Sequence, residues 1–507
     1  MKIAVVADVH LHDLHGGYGM LEEGGGELAL RTLEDTMAST RVFNESYPAF
    51  IAVLDDIVQR GIRDVVLLGD YSDDGQLGAV SAVKGVLSSY EERHGLRFFL
   101  TFGNHDCYGP EPRHQAKRLT KADGLQPVIV TSDENADETA LIRSDMRGMS
   151  TLEAMDAMAD YGIAQPDDVL HWETPFGDSD QPKDRRPAGS DASGLDASYL
   201  VEPQDGLWLL MLDANVFQKV GNVWELRADA AWDYVLAARP YLLAWITDVA
   251  QRADQSGKTL LAFSHYPALP LALAGEGDAV KAACTPDWAR RMPSPESGRQ
   301  LAKAGIRWHF SGHMHVGGRI ELDGLVNIAV PSPVAYPGGY VIVNADSDKV
   351  DIETVRLEAV QGYDAAFPAY RAQAAPTGDR AFSDALAAPN YPSFLRAHLQ
   401  SLIENKHLPE DWPPEFRAVL DTQIGQLFDV DALGLTERWP QFTPLPLRQM
   451  VDDFYFLRGD GTTNGLSAEK IAFYRDLCAG TMVEESVKTS GLQDLIRFLE
   501  LFRALVR

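Results

Sequence analysis

The chain has 507 residues, 45% of them hydrophobic, which is enough to bury more than one core. Its formal net charge is −29, and its basic residues form no run, only isolated pairs such as Arg185-Arg186 and Arg290-Arg291. A protein that tracks long nucleic acid needs basic patches to displace counterions, so that class is set aside, and no apolar stretch reaches membrane-spanning length.

The first apolar run begins at Lys2 and leads through Ile3-Ala4-Val5-Val6-Ala7 into Asp8. No signal peptide fits before it, and a cytoplasmic location is expected. Glycines at 16, 17 and 24 to 26 follow, which read as a tightly folded or mobile loop near a site mouth. Helical periodicity runs from Ala49 to Val58, and again from Val80 to His94, where Gly95 supplies a stop. Between them Asp64-Val65-Val66-Leu67-Leu68 leads into Gly69-Asp70. After them Arg97 to Phe102 leads into Gly103-Asn104. Short β-branched or aromatic runs of this kind read as strands buried on both faces.

A long insertion is expected from about 108 to 203. Within it Met146 to Tyr161 reads as a helix whose Met149, Leu152, Met155 and Met158 form a core stripe. Gly177 to Gly194 reads as a flexible loop, and the insertion as a lid over whatever site starts next to it. The strand pattern resumes at Gly206 to Asp213. A helix near Tyr241 to Ala253 follows, then Thr259 to Ser264 leading into His265, and Ile306 to Ser311 leading into Gly312-His313. Further strands are expected at 318 to 322, 325 to 330, 339 to 343 and 349 to 355. Asp323-Gly324 and Gly338-Gly339 read as hairpin turns, and these strands extend a second sheet packed on the first. From about 358 the pattern is helical, with segments at Ser393 to Leu402, Arg417 to Leu427, Leu447 to Leu457 and Leu492 to Leu505. The expected division is therefore 1–357, an α/β two-sheet sandwich flanked by helices, and 358–507, a helical C-terminal domain able to buttress the sandwich, cover its site or make an oligomer contact.

Five of the apolar runs end in Asp, Asn or His, residue types that bind divalent first-row metals. Open α/β sheets bind their ligands at the carboxyl ends of strands, where all these residues fall. The ordered blocks Asp8-Val9-His10, Gly69-Asp70, Gly103-Asn104-His105-Asp106, His265 and Gly312-His313-Met314-His315 resemble the calcineurin-like metallophosphoesterase superfamily.

The resemblance implies a dinuclear-metal phosphoric ester hydrolase. Asp8, His10 and His315 would hold one ion, Asn104, His265 and His313 the other, and Asp70 would bridge. The ions would be divalent or trivalent, with Mn, Fe or Zn expected. A bridging hydroxide would attack phosphorus in line, and His105 would assist the leaving oxygen. Asp73 matches the family position that orients that histidine; its other reading is a solvated turn residue in Ser72-Asp73-Asp74-Gly75. A small phosphodiester is the favoured substrate. A phosphomonoester is the alternative, and a metal-free scaffold of the same fold is a third reading, against which the retention of every ligand speaks.

Asp74 departs from the protein Ser/Thr phosphatase branch, which keeps an Arg there, and Phe102 stands where that branch places another Arg. A carboxylate at 74 repels phosphate, so that branch is disfavoured. Arg113, Arg185, Arg186 and Arg319 are alternative phosphate contacts, each read more simply as a surface residue. His12 and His15 read as loop polars, and His309 as a hydrogen-bonded core residue. Cys107 reads as a packing residue. The three cysteines, Cys107, Cys284 and Cys478, make no disulfide framework, as suits a reducing compartment.

Overall fold

The computed structural model describes residues 1–18, 21–23, 26–121, 126–177, 181–271, 290–346, 349–375, 383–480 and 492–506. Gly24, Gly25 and Cys284 lie outside them, as do residues 178–180 of the expected flexible loop.

Two sheets form the sandwich. The first runs in the order Val350–Arg356, Gly339–Ala345, Lys2–Val6, Asp64–Leu68, Arg97–Thr101. Lys2–Val6 pairs parallel with Asp64–Leu68 and antiparallel with Gly339–Ala345. The second runs Gly318–Leu322, Leu325–Ala329, Trp308–Ser311, Thr259–Phe263, Leu207–Met211, Tyr199–Gln204, His171–Glu173. Asp64–Leu68 and Leu207–Met211 are buried at every position, as runs lacking polar alternation require. Ile3, Val5, Leu209, Phe310 and Val341 share one core between the sheets. On the outer face of the second sheet the helix Pro240–Gln255 packs Ile246 and Val249 against Leu210 and Ala262.

The Asp323-Gly324 hairpin forms as expected, with both residues at positive φ. Gly338-Gly339 is not a hairpin. Here the chain leaves the second sheet, and the last two strands join the first sheet beside Lys2–Val6 instead of extending the second.

The expected helix from 146 to 161 is broken into 3-10 turns at Ser144–Met146 and Ala159–Tyr161 around a short helix, Thr151–Ala157. Ser150 caps that helix through a reciprocal bond with Glu153, which starts it later than periodicity alone suggests. Met149, Met155 and Met158 are core residues. In the Gly177 to Gly194 segment, Arg185 is fully buried, not a surface residue, and donates to the carbonyls of Ile163 and Ser198, both at 2.6 Å. Those bonds pin the segment to the sandwich.

The last strand ends at Arg356. Helices follow, among them Phe367–Ala374, Tyr391–Leu402, Leu447–Asp460 and Leu492–Leu505. Tyr391, Phe394 and Leu395 still pack into the sandwich core, whereas a separate helical core begins at Ile403. In place of one helix from Arg417 to Leu427, the chain forms two of four residues each, Pro414–Arg417 and Ile424–Leu427. Among the described residues, no helix is long and apolar enough to cross a membrane.

Candidate metal centre

The strand ends bring all seven candidate ligands together at one edge of the sandwich. Asp8 follows Lys2–Val6, Asp70 follows Asp64–Leu68, and Asn104 follows Arg97–Thr101. His265 follows Thr259–Phe263, and His313 and His315 follow Trp308–Ser311. His10 Nε2 lies 3.0 Å from His315 Nε2, 3.6 Å from Asp70 Oδ2 and 4.0 Å from Asp8 Oδ1. Asn104 Oδ1 lies 2.9 Å from His313 Nδ1 and 3.1 Å from His265 Nε2, and His265 Nε2 is 3.3 Å from Asp70 Oδ2. Asp70 therefore stands between two groups of donors.

The backbone is bent to achieve this. Asp8, His10, Asp70, His313 and His315 all have positive φ, between 45° and 68°. That region is sparsely used by residues with a side chain, and strain of this kind collects at functional sites. The surroundings hold it in place. Asp106 accepts from the backbone N–H of Asp70 and Gly103 and from the N–H and hydroxyl of Ser72. The Asp8 carboxylate accepts from His313 N–H at 3.0 Å, and its carbonyl from Ser332 Oγ at 2.8 Å. Asn215 donates toward the Gly103 carbonyl and accepts from Tyr266 O–H, so it spans the loops of Asn104 and His265.

The electrostatics suit cations. Asp8 and Asp70 are buried carboxylates, and a buried charge is costly unless it is paired. Burial alone would raise the Asp70 carboxyl, but His265 and His105 outweigh it and hold it below its usual range. Burial lowers His265, yet Asp70 and Asp8 push it up to about 9. His10 and His313 are held well below their ordinary value by burial and by neighbouring positive groups. His313 Nε2, His10 Nδ1 and His315 Nδ1 are buried without a hydrogen-bond partner. Two imidazole nitrogens facing each other at 3.0 Å, buried orphan nitrogens and paired carboxylates are a donor set that fits a pair of metal ions.

His105 sits at the rim, its ring 4.9 Å from that of His10, and its backbone N–H donates to Asp70 Oδ1 at 2.8 Å. The carboxylate on its Nδ1 is that of Asp74, at 2.5 Å. This corrects the expectation that Asp73 takes that place. Asp73 points the other way, into a buried cluster with Arg31 at 3.0 Å, Arg41 at 3.1 Å and Lys117 at 2.9 Å. Asp74 also accepts from Lys117, so its charge is spent on His105 and Lys117. Lys117 comes from Ala116–Thr120 in the insertion, and nothing local in the sequence marks it.

His12 is buried, bonds the Ala29 carbonyl at 2.5 Å and is pushed down to about 4, chiefly by burial. His15 stacks edge-on against Tyr47 and lines a groove of about 960 Å³ along the helices Ser46–Gln59 and Leu77–His94. His309 is a core residue between Ser264 and Asn327, as expected. Arg319 is exposed and pairs with Glu321, and Cys107 is buried.

Residues 1–139 match the model of the calcineurin-like phosphoesterase family. Among solved structures, a dimetal phosphatase from Danio rerio is 13% identical with a TM-score of 0.37, covering 70% of this chain and 96% of its own. A phosphopantetheinyl hydrolase from Mycobacterium tuberculosis is 9% identical with a TM-score of 0.26, over 66% of this chain and 90% of that one. A putative 5'-nucleotidase from Staphylococcus aureus is 12% identical with a TM-score of 0.31, over 70% and 52%. No curated protein sequence matches the chain.

Proposed function

We propose that the protein hydrolyses a small phosphoester, a phosphodiester in preference to a monoester, at a dinuclear metal centre. The convergence of two donor groups on Asp70 carries this reading. Asp8, His10 and His315 would hold one ion, Asn104, His265 and His313 the second, and Asp70 would serve both; Mn, Fe and Zn suit these ligands. Such a pair supplies Lewis acidity toward phosphoryl oxygens and lowers the pKa of water.

The chain's own residues do the rest. Nδ1 of His105 donates to Asp74, which orients the ring, and in its imidazolium form the ring passes the proton on Nε2 to the departing oxygen and is left neutral. Asp74 and Lys117 hold that ring, and Asp73 keeps Arg31 and Arg41 paired beside it. Diester hydrolysis is favoured because an alkoxide leaving group needs such a proton.

We place the catalytic unit at 1–357 and the helical domain at 358–507, with the helix Tyr391–Leu402 bound into the sandwich core. A cytoplasmic setting is part of the proposal, since Cys107 and Cys478 are free and buried.

The test is turnover of bis(p-nitrophenyl) phosphate and p-nitrophenyl phosphate by metal-stripped protein reconstituted with Mn²⁺, Zn²⁺ or Fe²⁺, beside Asp70→Asn. Metal-dependent turnover that Asp70→Asn abolishes supports the reading. Absence of turnover with every metal favours a scaffold.

A further inference from the structure

The loop carrying His313 and His315 ends against the helical C-terminal region. Two residues past His315, the backbone N–H of Gly317 donates to the carbonyl of Gly459 at 3.0 Å. Gly459 lies in the last turn of the helix Leu447–Asp460, and Gly461 ends that helix at φ 70°. The two backbones touch. A Cβ on Gly317 would lie 2.6 Å from the Asp460 carbonyl oxygen, and one on Gly461 would overlap the Gly317 carbonyl. Contacts this close exist only where neither side has a side chain. Arg356, at the end of the last strand, pairs with the Asp460 carboxylate and fixes the same helix end.

A second contact follows the same plan. Tyr391 donates its hydroxyl to the Pro333 carbonyl at 2.8 Å, next to Ser332, whose hydroxyl holds the Asp8 carbonyl. The ring of Tyr336 packs on Phe456 of the helix Leu447–Asp460. The C-terminal helices thus rest on the two loops that set Asp8, His313 and His315, all residues held at positive φ.

We propose that the C-terminal helical region is a positioning element of the metal centre, and that Gly317 against Asp460 and Gly461 is the contact through which it acts. The inference rests on the metal-centre reading above. The strained turn of His313 and His315 is kept in its ligating shape by a helix end far along the chain, through the Gly317–Gly459 bond.

The experiment compares Gly317→Ala with Leu499→Ala in the full chain. Leu499 lies in the helical core, so its truncation lowers stability without touching the loop. Mn²⁺ binding is read by titration calorimetry, and ligand geometry by the visible absorption of the Co²⁺-loaded protein. Gly317→Ala is expected to weaken Mn²⁺ binding at least ten-fold and to alter the Co²⁺ spectrum. Leu499→Ala is expected to lower the melting temperature while leaving both metal readouts as in the unsubstituted protein. Unchanged affinity and spectrum in Gly317→Ala overturn the inference, as does an equal loss in Leu499→Ala. If Gly317→Ala does not fold, Asp460→Asn serves in its place: a several-fold weaker affinity supports the inference, and an unchanged one overturns it. If the unsubstituted protein binds no ion, the metal-centre reading falls, and this inference with it.

Discussion

Nδ1 of His105 lies 2.5 Å from Oδ1 of Asp74, and the neighbouring Asp73 makes no such bond. If this pair fixes the imidazole for proton transfer, Asp74→Asn slows esters with alkyl leaving groups by about 10²-fold or more, within the usual range for general acid catalysis. Esters of p-nitrophenol, whose leaving group needs little protonation, change far less. The measurement is kcat/KM for both classes on metal-loaded protein. Equal losses on both would remove His105 from the proton-transfer role.

Asp73 is expected to act on stability instead. Its carboxylate, held well below its usual range against the pull of burial by Lys117, Arg31 and Arg41, balances three nearly buried cations. Removing one partner of a buried ionic cluster costs roughly 3–5 kcal/mol. Asp73→Asn should therefore lower the denaturation midpoint strongly. A variant as stable as the parent would contradict the structural role of that cluster.

Metal removal should be visible without any substrate. Ions that bind only the folded chain add stability by mass action, about 4 kcal/mol at a thousand-fold excess over Kd. Chelation is expected to lower the melting temperature of the parent and to leave that of Asp70→Asn nearly unmoved. The check is a thermal melt of each protein with and without chelator.

His398 gives a pH signature away from the centre. It is buried, bonds the Thr36 carbonyl at 2.9 Å, and is pushed down to about 4 by burial. Its folded value lies below its unfolded one of 6.5, so its contribution is whole above about 6.5 and is lost as pH falls through 4. The full loss is roughly 3 kcal/mol. Stability of His398→Gln, followed by denaturant titration, should fall less steeply between pH 6.5 and 4 than that of the parent.

Glu45 has the opposite sign. It is fully buried, close to Tyr370 and Tyr391, and burial pushes its carboxyl up to about 8. The unfolded chain releases this proton near 4.5, so the stability tied to it is whole below that pH and lost as pH rises through 8. Glu45→Gln should match the parent at pH 5 and exceed it at pH 9 by a few kcal/mol, on the order of what such a shift carries. Parallel stability curves would rule this out.

Much of the fold was legible because strands buried on both faces leave uninterrupted apolar runs, and because each candidate ligand directly follows such a run. Asp64–Leu68 before Asp70 and Thr259–Phe263 before His265 show both signals in a few residues. What stayed hidden depends on distance in space. Asp73 and Asp74 are adjacent carboxylates, and only the positions of Lys117 and His105 separate their roles. Arg185 in a polar, glycine-rich stretch gives no local sign that two buried carbonyls await it. The destination of the last two strands was equally invisible, since 339–345 has the same apolar pattern whichever sheet receives it.

His10 and His315 meet at 3.0 Å although 305 residues separate them. Closing so long a loop is slow, because its entropy is lost before any contact repays it. A nascent chain that has reached residue 139 already carries Asp8, His10, Asp70 and Asn104, but none of the histidines that complete either donor group. On the proposed reading, metal capture therefore waits until His313 and His315 have been made, and ion uptake on the ribosome would report the moment at which the second sheet closes over the first.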